Sequence, residues 1–394
     1  MIMIVARERA GVNSICVSGM TGVVCFGLVV SVVMPVSLGS KRDAAVSSKG
    51  MKVGNFRRCD AAFCPIPRRT AFRDAGCMNN NTARTVQTAD TTDYMQTSQA
   101  RFAPVEISTT GLPFHRLALA NPRHRWWRPL LALLIAFIVY WFLTGLFGFG
   151  IGTIVGADPS IPLTETGFPD PNHPIGALFV FGQIALLLPA VAVGIWFGEG
   201  RSIGTLTSVA GRLRVRRLGV YLLIALATMG AAIAVATVVS LGTGDASPVI
   251  SANSLGLLAV ALLVAPVQAS AEEYVFRALP QQVLGSWLKS PWWGILLPIP
   301  VFTLAHIYDA PGLLSVAVFA FAAGLLTWRT GGLEASIALH IVNNVFAVGL
   351  VAFGIGDLGA STTSLASAIA SIAGTTLFTV AVLLHQRRRH RVAR

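Results

Sequence analysis

Eight apolar runs of about 20 residues recur between residues 129 and 385, and no other feature restricts the fold as strongly. A helical run of that length spans the ~30 Å hydrocarbon core of a bilayer. Lipid offers backbone N–H and C=O groups no partner, so each run is expected to be a helix that satisfies its own. The runs cover 129–155, 174–197, 218–241, 253–277, 292–308, 312–328, 335–356 and 364–385. Composition agrees: 12% of the residues are charged, against about 25% in a soluble domain. The expected fold class is all-α, a polytopic membrane helix bundle of about eight transmembrane helices.

The boundaries between runs alternate in charge. Arg123, Arg125 and Arg128 precede the first run with Trp126 and Trp127, and Arg201, Arg212, Arg214, Arg216 and Arg217 lie between the second and third. Lys289, Arg329 and the arginines from Arg387 onward mark the other basic boundaries. The intervening loops carry Asp158, Glu165, Asp170, Asp245, Asp309 and Asp357 and no Lys or Arg. The positive-inside rule then puts both ends of the core in the cytoplasm, with the cell membrane as the expected site. The net charge of +13 is explained by orientation and by anionic lipid, and no nucleic-acid partner is expected. The arginine runs read as topology signals.

Four segments are expected along the chain. Residues 1–77 form an N-terminal extension in which Val12 to Leu38 make a signal-like apolar stretch or a weak extra span. Residues 78–122 are a polar linker rich in Thr, Gln and Asn, a composition that cannot pack a core. Residues 123–386 are the membrane domain and 387–394 a basic cytoplasmic tail. The biological start is expected near Met78 or Met95, which mass spectrometry of the native N-terminus would check. All five cysteines precede residue 78, so the membrane domain has neither a disulfide framework nor a thiol nucleophile.

A charge at membrane depth costs roughly 3 kcal/mol on insertion scales, so the few such residues mark a functional site. They are Glu272, Glu273, Arg277, His306 and His340, with Asn344 as an uncharged companion and His385 at the end of the last run. Glu273 and Arg277 share a helix face and suit an ion pair, whereas Glu272 points about 100° away and is left for another task. Phe302 and His306, and likewise His340 and Asn344, are four apart. Three helices thus each present a small polar face. A desolvated Glu can act as general base toward water. Histidines can hold that water, stabilise an oxyanion or bind a metal, and an Asn amide can donate to a developing negative charge. The set suits amide hydrolysis. No phosphate loop or redox-cofactor motif is present in the sequence.

The three motifs Glu272-Glu273-x-x-x-Arg277, Phe302-x-x-x-His306 and His340-x-x-x-Asn344, in this order, resemble those of the CAAX protease and bacteriocin-processing family, intramembrane endopeptidases of the Abi type. The resemblance covers about 250–385 by motif and reaches 129 by span count alone. It implies that Glu272 activates the attacking water with His306 as partner, and that His340 and Asn344 form the oxyanion side. It implies supporting roles for Glu273 and Arg277, with Phe302 packed beside the site. The substrates implied are peptides or protein tails delivered at the membrane, in peptide maturation or bacteriocin immunity. Glu272, His306 and His340 would be the zinc ligands if the enzyme is a metalloendopeptidase, although the two-His helix of HExxH proteases is missing. Two other classes use the same residues: a silent scaffold or regulator, and a transporter relaying protons through Glu and His.

One count opposes convergence. His306 lies 14 residues into its run, about 21 Å at 1.5 Å per residue, whereas His340 lies only a turn and a half inside its own. A break at Pro298 and Pro300, or a dip of 278–291 into the membrane, is required to bring them together.

Overall fold

The computed structural model describes the backbone of residues 3–9, 12–19 and 22–26, and residues 109, 111–244 and 247–392. Of the linker expected over 78–122, the end packs after all: Phe114–Ala120 form a short helical turn that buries Phe114 and Leu117 in a core cluster, while most of the rest lies outside the described residues, as does Asp245. Strands β1 (Met3–Arg9), β2 (Val12–Gly19) and β3 (Gly22–Phe26) form an antiparallel meander, with Arg9 opposite Val12 and Gly19 opposite Gly22. The stretch expected as signal-like therefore begins as two strands. Val12, Ile15, Val17, Val23 and Val24 are β-branched and favour extended backbone. Residues 27–38 of that stretch lie outside the described residues.

The remainder is helical. Among the described residues, seven helices are long and apolar enough to cross a membrane: α1 (Arg128–Ala157), α2 (Pro174–Glu199), α3 (Val215–Thr243), α4 (Ser254–Trp287), α6 (Ala310–Thr330), α7 (Glu334–Ala352) and α8 (Leu365–Val392). Between α4 and α6 lies the shorter α5 (Trp292–Leu304). The protein is an integral, multi-pass membrane protein.

Two expectations about the spans change. The fifth run was expected as a full span over 292–308, but α5 holds 13 residues, about 20 Å, and stops before His306. Pro298 and Pro300 lack N–H donors, and the polar His306 and Asp309 follow at once. The fourth run was expected to end at Arg277, but α4 continues to Trp287. Polar Gln281 and Gln282 fall in residues 278–291, expected as a connection. Both are buried instead, Gln281 donating to the Gly324 carbonyl at 2.8 Å and Gln282 to the Thr205 carbonyl at 2.9 Å.

The helices differ in how much they bury. Half of the apolar stretch of α6 and of α7 is buried, against 11% for α1, so α7 sits centrally and α1 faces lipid. One core cluster joins Met229 of α3, Phe302 of α5, Phe319 of α6, Leu339 of α7 and Phe378 of α8. A second packs Phe181 of α2 and Leu257 of α4 on Val348 of α7. The basic loop between α2 and α3 does more than signal topology. Arg201 is fully buried against Glu199 at 2.8 Å and donates to Gln282 of α4 at 2.6 Å. Arg214 grips Glu334, the first residue of α7, with Nε to Oε1 at 2.8 Å. This loop therefore ties the ends of α2, α4 and α7 together.

Helices α1 and α2 touch through glycine. A Cβ on Gly198 would stand 2.5 Å from the Ala132 Cα of α1, a backbone atom that cannot yield. Gly198→Ala is expected to cost about 1–3 kcal/mol by overpacking and to lower the melting temperature in detergent. Gly219→Ala, where a Cβ meets nothing within 4 Å, should melt like the parent; equal melting of both variants would refute the close contact.

Candidate active site

Helix α4 supplies both glutamates, and its geometry changes just after them. Residues Tyr274–Ala278 form one wide π-type turn with i→i+5 bonding. Such turns recur at functional sites because the inserted residue re-aims the side chains around it. Glu273 and Arg277 nevertheless meet as expected, Oε1 to Nη1 at 3.1 Å, both buried. This is an ion pair without hydrogen-bond alignment. The guanidinium is instead held between two rings, 4.1 Å from the Phe302 centroid and 5.6 Å from that of Phe319. A cation–π arrangement of this kind gains strength when desolvated.

His340 of α7 lies against both glutamates. Its Nδ1 donates to Glu273 Oε1 at 2.7 Å, and its Nε2 is 3.3 Å from Glu272 Oε2. Glu273 thus fixes the ring by its Nδ1 edge and presents the other edge to Glu272. The side chain of Glu272 is 12% exposed, whereas that of Glu273 is fully buried. The neighbour of Glu272 by contact is His340, where the resemblance had implied His306.

His306 follows the end of α5, and its Nδ1 donates to the Phe302 carbonyl at 2.8 Å. That bond fixes the tautomer and leaves Nε2 as the free edge. Phe302 joins the parts of the site. Its ring is 4.9 Å from His306 and 6.3 Å from His340, centroid to centroid. His306 and His340 thus both lie against Phe302, with His306 on irregular backbone just past the end of α5 and Pro298 and Pro300 midway along that helix.

Asn344 lies one turn beyond His340, where its Nδ2 donates to Gln268 Oε1 at 2.7 Å and its Oδ1 accepts from Asn343 at 2.9 Å. Gln268 is buried and precedes Glu272 by four residues, so it shares that face of α4. Sequence reasoning passed over it. The available signal was an amide at helical spacing from a buried carboxylate inside an apolar run. The seven residues of the three motifs fall in one neighbourhood built by α4, α5 and α7. Among the described residues, no three His, Cys, Asp or Glu side chains gather closely enough to hold a metal ion. Glu272, His306 and His340 do not form such a group.

Residues 251–346 match the family model described as type II CAAX prenyl endopeptidase Rce1-like. The matched segment runs from the start of α4 into α7 and contains all three motifs. The "Uncharacterized protein YyaK" of Bacillus subtilis (strain 168) is 35% identical over 98 residues, covering 23% of this chain and 32% of that protein. The chain therefore matches about a third of the length of this relative. No solved structure matches. The resemblance carried by the motifs and the family match agree on the same segment.

Proposed function

We propose that this chain, similar to CAAX prenyl endopeptidases over residues 251–346, is an intramembrane endopeptidase that hydrolyses a peptide bond of a membrane-delivered peptide or protein tail. The observation that carries the reading is one imidazole, His340, set between the carboxylates of Glu272 and Glu273 inside a bundle of membrane-spanning helices. Glu272 is the base. It removes a proton from a water whose oxygen attacks the scissile carbonyl, and the free Nε2 of His306 helps to hold that water. The carbonyl oxygen becomes an oxyanion on the side of His340, met by the second N–H of the Asn344 amide. The C–N bond then breaks, and the proton held by Glu272 passes to the leaving amine. Glu273, Arg277 and Phe302 hold His340 and the charge balance. The cavity opens to the cytoplasm in this reading, because the basic boundaries lie on that side.

The test is purified protein reconstituted in liposomes with quenched fluorescent peptides that partition into the bilayer. Cleavage at one bond is expected. Proton-coupled uptake with no peptide cut would replace the peptidase by a transporter. The mechanism above runs on the chain's own residues. Cleavage is therefore expected to survive a strong chelator, with no stoichiometric zinc by elemental analysis. Loss of activity on chelation and its return with zinc would overturn that part.

A further inference from the structure

A cavity of about 360 Å³ lies between α1 and α2 and carries an unexplained polar group. Tyr140, Gly145 and Gly148 of α1 face Phe179 and Gln183 of α2, and Phe168 of the α1–α2 loop lines it too. The glycines create the space. A Cβ on Gly145 would meet nothing within 4 Å, and one on Gly148 would meet only the Gln183 amide nitrogen at 3.8 Å and the Phe179 ring at 4.0 Å. Gln183 is 4% exposed, yet its Oε1 accepts no hydrogen bond among the described residues. A buried amide oxygen without a donor is costly, and such a group calls for an explanation. The stretch of α2 that carries Gln183, Pro174–Ala185, packs on the α4 segment Ala265–Glu273 that carries the glutamates.

The occupant must bring a donor into an apolar space. A hydrocarbon chain has none. A peptide opened for cleavage has several, because its unwound N–H and C=O groups lose their helical partners where lipid supplies no others. We propose that the α1–α2 cavity is a substrate subsite that takes the apolar residues beside the scissile bond of a membrane-embedded peptide, with Gln183 pairing to a backbone N–H. This inference rests on the peptidase reading for its biological meaning, and its test measures peptide binding separately from cleavage.

Full-length protein in liposomes is photolabelled with an apolar peptide carrying a benzophenone, and cleavage of the unmodified peptide is followed in parallel. Label is expected on α1 and α2 peptides around Gly148 and Phe179. Gly148→Leu fills the cavity and should remove the label. Gln183→Leu keeps the volume but loses the acceptor, and it should weaken labelling and raise KM about tenfold, with kcat held, as for one unreplaced hydrogen bond. Melting curves show that each variant is folded. Unchanged labelling and KM in Gln183→Leu would overturn the subsite while leaving the peptidase in place. An isoprenoid or acyl photoprobe that labels the parent and Gln183→Leu equally, and displaces the peptide, would replace it by a lipid site. Gln183-dependent labelling without cleavage by any form would keep the peptide site and overturn the peptidase reading.

Discussion

Glu272→Gln stops peptide cleavage and leaves the melting curve where it was. The loss should be about 10²–10⁴-fold, the range for removing a positioned general base. The substitution keeps the shape of the side chain and an oxygen for the Nε2 edge of His340, so packing is preserved. What disappears is the capacity to take a proton from water. Stability should be spared because Glu272 is the outer carboxylate, partly exposed and 3.3 Å from His340, whereas the 2.7 Å bond that fixes the ring comes from Glu273. Initial rates on a quenched membrane peptide and thermal unfolding of the same preparation check both halves. Undiminished cleavage would assign the chemistry elsewhere.

Glu273→Gln has the opposite signature, a large loss of stability accompanied by a loss of activity. Glu273 is the counter-ion of Arg277, and both are buried. Removing one member of a buried pair typically costs about 3–5 kcal/mol, because the other is left uncompensated. The Phe302 and Phe319 rings offset only part of that cost. His340 also loses the charged acceptor that holds its Nδ1. The double variant Glu273→Gln, Arg277→Met should regain much of the stability, since no isolated charge remains, but not the activity. A single Glu273→Gln variant that melts like the parent would show that the pair has no structural role. The two neighbouring glutamates are thus separable by measurement: one is needed for turnover, the other for both turnover and folding.

The sequence exposes what depends on near neighbours along the chain. Hydropathy identifies the helices because each must cross the same thickness of lipid, and i, i+4 spacing pairs Glu273 with Arg277. The misreadings are tertiary in origin. Residues 278–291 read as a connection because nothing in sequence reveals that Gly324, Thr205 and Arg201 bond Gln281 and Gln282. A hydropathy window counted Trp292 to Tyr308 as a span, although its prolines and the polar residues after it shorten the helix to end at Leu304. Likewise, the contact of His340 with both glutamates joins residues 67 positions apart, and no periodicity encodes it.

That separation has a consequence for how the protein is made. At a synthesis rate of ~5–20 residues per second, the 67 residues between Glu273 and His340 take about 3–13 s to emerge. During that interval α4 enters the bilayer with two acids and without its imidazole partner. The only compensating charge on the same helix is Arg277, four residues away and already present. The local ion pair is therefore the device that lets α4 wait in lipid, and the site is completed only when α7 is threaded in beside it. A chain truncated after α6 should leave Glu272 without its imidazole neighbour, a natural target for membrane quality control.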